Sequence, residues 1–278
     1  MLRHAFAAAA LLAATPAFAQ SGPAPLPDPN DQSDTFSVGL GAGMIPDYEG
    51  SNDYEFIPIV GIRGRLNGFN FYTRGTYLYV DLIKRGGNAL EFDAGPIAGV
   101  RLNRTGKVDD DVVNALPELD TAFEVGGFAG VTYHGLTNPY DALGFHVDVI
   151  TDVGDAHGST LITPTLDFGT PLSRTTYVAL SLSAEWAGDG YAEYYYSIDP
   201  AGSLASGLPV FDADGGFKHW RVGVFANQSL SGDLLHGWSI FGVGLYTKLA
   251  GDFADSPIVD DRGSSSQWFG GLGVAYTF

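Results

Sequence analysis

Residues 267–278 alternate with a period of two. Trp268, Leu272, Val274, Tyr276 and Phe278 fall on one face, and Gln267, Gly271, Gly273, Ala275 and Thr277 on the other. Large apolar and aromatic groups on one side, with small or polar groups opposite, suit a strand that meets lipid on one face and an interior on the other. A soluble sandwich strand alternates in the same way while packing its apolar face into a core, so the rest of the chain has to separate the two.

No stretch of 18 predominantly apolar residues follows residue 19, which excludes a spanning helix. A chain that crosses a membrane without helices must do so as a closed barrel, because hydrocarbon leaves no other backbone arrangement satisfied. The 38 glycines, 13% aromatic content and mean hydropathy of +0.06 suit alternating strands and glycine-rich turns. Arg3 and His4, the apolar residues 5–14 and the Ala17-Phe18-Ala19 triplet predict a secretory signal peptide over residues 1–19. There is no cysteine for acylation or disulfides. The net charge of −18 argues against nucleic acid and against direct attraction to anionic lipid. Residues 20–33, with four prolines, read as an extended tail, and residues 34–278 as a single barrel.

Along that barrel the alternation recurs. Phe36, Val38, Leu40, Ala42 and Met44 face outward over a glycine stripe expected to keep the interior clear of bulk. Pro58 in the next strand is tolerable only at a bulge or a weakly paired position. Residues 69–74 and 77–82 form two short strands or one bent around Gly75. Further strands cover residues 90–101, about 122–133, 143–151, 160–168, 175–186, 218–229 and 237–249. The count is about 12, or 10 if the two short strands merge and one other is lost, closed by pairing of the first strand with the last. Residues 187–217 interrupt the rhythm with glycine, aspartate and four tyrosines, a length that marks a functional loop or insertion.

Three blocks carry a family resemblance. They are residues 46–54 (PDYEGSNDY), residues 194–198 (YYYSI) followed by residues 205–209 (ASGLP), and residues 255–259 (DSPIV) before the last strand. In this order they resemble the MipA/OmpV family of outer-membrane proteins, with Tyr196-Ser197 a mild departure. The resemblance implies an outer-membrane barrel without catalytic residues. Its members are described as scaffolds joining peptidoglycan hydrolase to synthase, as adhesins, or as small pores. The implied surroundings are outer-membrane lipid and lipopolysaccharide. The implied partners are the barrel-assembly machinery and a murein hydrolase or synthase.

The candidate residues fall into three groups. Glu91, Asp93, Glu124, His146, Asp148 and Glu185 are expected to line the lumen and would make a pore cation-preferring if residues 187–217 leave it open. Tyr191, Tyr194, Tyr195 and Tyr196 are a candidate partner or ligand platform, or else an interfacial girdle. Tyr276 and Phe278 are the expected assembly signal, as in outer-membrane barrels. His146 and Asp148 are simply neighbours on one strand face, no serine nucleophile is placed beside a histidine, and the aspartate runs 109–111 and 252–261 lack calcium-loop spacing. The expectation is no enzyme activity, no cofactor and no metal, in a protein exported to the outer membrane.

Overall fold

The computed structural model describes residues 33–84 and 86–278; the expected signal peptide and nearly all of the expected tail lie outside the described residues. Twelve antiparallel strands close into a barrel. They are β1 Thr35–Pro46, β2 Tyr54–Leu66, β3 Phe69–Arg74, β4 Tyr77–Asp81, β5 Leu90–Arg101, β6 Ala122–His134, β7 Ala142–Asp152, β8 Thr160–Pro171, β9 Thr176–Ala187, β10 Gly216–Ser229, β11 Gly237–Leu249 and β12 Ser266–Thr277. β1 pairs with β12 from Ser37↔Thr277 to Met44↔Gly270, so the barrel closes through its first and last strands as expected. Residues 69–81 are two strands, joined at Gly75 and Thr76.

Two aromatic bands mark the apolar belt. At one end, Trp186 meets Phe217 and Tyr246 lies between Trp220 and Trp268, with ring centroids 4.6–5.3 Å apart. At the other, Trp238, Tyr276, Phe278, Phe36 and Phe71 form a second chain of rings. Between them, outward Leu40, Val60, Leu166, Leu182, Val224 and Leu272 are exposed. Paired girdles around an apolar band are the outer surface of a membrane barrel, where ring edges suit the headgroup level.

The glycine stripe does not leave open space. The Phe241 ring lies 3.2 Å from where a Cβ on Gly39 would sit, and Ile59 Cδ1 2.9 Å from the same point on Gly43. These glycines therefore form a floor that neighbouring strands cover with large apolar side chains.

The three longest connections, residues 102–121, 188–215 and 250–265, leave the same end of the barrel, together with residues 47–53 and 153–159. Four short α-helices form within them, α1 Asp189–Tyr196, α2 Pro200–Ser206, α3 Asp252–Asp255 and α4 Pro257–Asp260, beside one 3-10 turn at Val113–Ala115. Asp199 starts α2 by accepting from the Gly202 N–H (2.6 Å), and Gly207 ends it at φ 79°. The loops make one apolar core of Tyr48, Val113, Tyr191, Tyr195, Tyr196, Phe253, Ile258 and Val259. This is a cap over the barrel mouth.

Candidate functional site

The three blocks of the family resemblance meet in the cap. The Tyr48 hydroxyl donates to the Ile258 carbonyl (2.9 Å), and the Ser256 hydroxyl to the Tyr196 carbonyl (2.6 Å). Gly50 holds φ 108° directly against Val259, where a Cβ has no room. Gln267 bonds Gly50 and Ser51 from the top of β12.

Beneath this core the cap is latched to the barrel wall by charge. A bulge in β10 between Phe217 and His219 turns both Lys218 and His219 inward, which regular alternation would forbid. Lys218 is fully buried, and its ammonium has three partners: Glu49 Oε1 at 2.8 Å, Glu185 Oε1 at 2.9 Å and the Tyr191 hydroxyl at 2.7 Å. Tyr191 in turn donates to Glu49 Oε2 (2.7 Å) and accepts from Arg101 (3.3 Å). Burial alone would raise the Glu49 carboxyl, but the charges of Lys218 and Arg101 outweigh it and hold the pKa at about 2. Burial pushes the Tyr191 phenol well above its ordinary value, which keeps it a neutral donor.

The latch continues through Arg101, which grips both oxygens of Glu124 at 3.0 and 3.2 Å. Glu124 also receives the Tyr77 hydroxyl and His157 Nε2, the latter at 2.9 Å. His157 Nδ1 accepts the Ser159 N–H at 3.2 Å, so Nε2 carries the proton.

Toward the turn-bearing end lies a second polar group. Arg74 donates to His146 Nε2 (2.7 Å) and reaches Asp167 at 3.5 Å, while Tyr79 donates to Asp148 at 2.8 Å. The Arg74 and Asp167 side chains are 41% and 36% exposed, so this group is wetted.

All six expected lumen residues face inward, but not as a bare acidic ring. Glu91 pairs with His134 and Asp93 accepts from Thr132; Glu124, Asp148 and Glu185 are taken by the partners above. Tyr191, Tyr195 and Tyr196 are buried and Tyr194 is half-buried with its hydroxyl on the Asp120 N–H, so they form cap core rather than an exposed platform or a girdle. Residues 188–215 fold over the mouth, with Tyr191 against Arg101 and Lys218 of the wall. Tyr276 and Phe278 sit in the lower girdle. Sequence reasoning missed Lys218, Arg101, Glu49 and His157; a lysine followed by histidine inside a strand of an acidic chain was the available signal.

The family profile described as "MltA-interacting protein MipA" matches residues 38–278. The chain belongs to the MipA family. Curated relatives are the MltA-interacting proteins of Escherichia coli strain K12 and Shigella flexneri, each 29% identical over 103 residues. That match takes in 36% of this chain and spans only 38% of each relative's length. Among solved structures, this MipA-family barrel is similar to the CymD monoaromatic hydrocarbon channel at 12% identity (TM-score 0.39; 91% of each chain). It is also similar to the outer-membrane protein OmpT of Vibrio cholerae at 8% identity (TM-score 0.37; 88% of this chain and 97% of that one). At such scores the architecture rests on the strand pairing itself.

Proposed function

We propose that this MipA-family barrel is a non-catalytic scaffold of the outer membrane that engages a murein hydrolase or synthase. The supporting observation is the cap: a folded layer with its own apolar core, latched through Lys218 across the mouth of the barrel, suits a protein that binds rather than conducts. The curated relatives bear the name MltA-interacting protein, which gives the partner class its chemistry. Membrane lipid and lipopolysaccharide are the surroundings that the girdled wall suits, and the barrel-assembly machinery is its route of insertion. The histidines that bond carboxylates or Arg74 serve charge and orientation rather than activation of a nucleophile.

The test is binding of the refolded barrel to a purified MltA-type hydrolase on a sensor surface, with planar-bilayer recording in parallel. A saturable complex and a silent bilayer are expected. Stable single channels without any complex would replace the scaffold by a small cation-preferring pore. Cleavage of phospholipid, lipid A or peptidoglycan by the pure protein would overturn its non-catalytic assignment.

A further inference from the structure

The barrel wall is complete near the turns and interrupted near the cap. β2 pairs with β1 along its whole length, up to Pro46↔Tyr54, but its pairing with β3 stops at Arg63↔Tyr72. The turn at Asn67 and Gly68, with φ 53° and 85°, is a two-residue hairpin of the primed type. Leu66 and Phe69 therefore exchange their bonds, and even-numbered β2 residues aim their backbone groups at β3. Farther up the strand, Val60, Pro58, Phe56 and Tyr54 aim theirs at an edge with no strand.

The interruption has a built frame. At its floor the Thr73 hydroxyl accepts from the Ile62 N–H (3.1 Å) and donates to the Ile62 carbonyl (3.4 Å), ending that ladder. Across the hairpin tip, the Thr76 hydroxyl donates to the Val100 carbonyl of β5 at 2.5 Å. Above, the Glu49 N–H meets Asn103 and the Asp109 N–H meets Asp47, at 2.9 and 2.7 Å. Residues 54–60 of β2 span about 20 Å on one side, and on the other β5 rises only from Gly99 to Arg101 above the hairpin tip before residues 102–121 continue the rim.

Side chains around the frame say what it admits. Phe56, Ile57, Pro58, Ile59 and Val60 are apolar without a break, so both the outward and the inward face of this edge are apolar. Inside, Ile59 covers Gly43 and Gly271, and Phe241 covers Gly39 and Gly273, extending an apolar track across β1 and β12. The opposite wall carries Glu185, Asp167 and His146. An interior with one apolar and one charged wall fits an amphiphile. A partner strand fits less well, since Pro58 withholds a donor at the centre of the edge, a device by which sheets resist strand addition.

We propose that the gap between β2 and β5 is a lateral portal through which one alkyl chain of a membrane lipid enters the barrel. It adds a lipid-binding role to the scaffold reading and does not depend on it. Open backbone is tolerated at membrane depth where it faces a watered interior, and the partly exposed Arg74 and Asp167 side chains inside the barrel show that water reaches the portal floor.

The chain has no cysteine, so single-cysteine variants can be labelled cleanly. Bimane is placed at Ile59→Cys behind the portal, at outward Val224→Cys and at inward Ser183→Cys on β9, each in the full barrel. The barrels are reconstituted in phosphatidylcholine vesicles carrying doxyl-labelled acyl chains, and heat-modifiable migration confirms folding. The label at position 59 should lose most of its emission, as at 224, while 183 keeps its own. Adding Thr76→Phe, which raises the floor, should restore emission at 59 and leave 224 quenched. Emission at 59 as unquenched as at 183, or quenching indifferent to Thr76→Phe, overturns the portal. Ile57→Cys replaces Ile59→Cys should the latter not fold.

Discussion

Two polar clusters share the interior, and burial separates them. Around Lys218, every donor of a fully buried ammonium has a fixed acceptor, and Glu124 is enclosed by Arg101, His157 and Tyr77. Around Arg74 the groups are as numerous, but its guanidinium and Asp167 are partly open to water. Desolvation makes the first cluster all-or-none, since removing one partner strands the others, while in the second water can stand in for the exposed Arg74 or Asp167. One holds a closed mouth; the other lines a wet vestibule.

The sharpest way to break the contrast is Lys218→Ala. It leaves Glu49 and Glu185 facing each other without a cation, and the cap should lose about 3–5 kcal/mol, read as fast hydrogen exchange throughout α1. Next is Gly50→Ala, which forces a Cβ into Val259 at a left-handed φ and should cost about 1–3 kcal/mol, read as a lower melting temperature of the cap.

Acid gives a graded version. Glu49 has a folded pKa of about 2 against an ordinary 4.5, so its contribution is complete above pH 4.5 and is lost as pH falls toward 2. Protease cleavage within residues 188–215 should accelerate across that window and be unchanged between pH 6 and 8. The smallest effect is expected for Arg74→Ala, no more than about 1 kcal/mol because the group is hydrated. Denaturant titration showing Arg74→Ala to be as damaging as Lys218→Ala would erase the distinction.

The strands were legible because lipid demands a large apolar side chain at every second outward position, as Phe92, Val125, Leu182 and Val224 supply. The weak pairing that Pro58 requires was legible as well, and it became the free edge of β2. The cap was not. Its aspartate runs show no ligand spacing in the sequence, whereas in the structure Asp110 is engaged by Arg262 at 2.6 Å and Asp199 caps a helix. Such contacts join segments far apart in the chain, and period-two patterning carries no information about them. The bulge at Lys218 hid the latch for the opposite reason: it violates the very alternation that revealed the strands.

Gln267 spans 217 positions of sequence to reach the Gly50 N–H, and it can do so only once β12 lies beside β1. The Gln267 contact of the lid is therefore completed only after the cylinder has shut through β1 and β12. A barrel stalled one strand short would carry loose upper loops with their tyrosines exposed, a form that folding surveillance and proteases can tell from the finished protein.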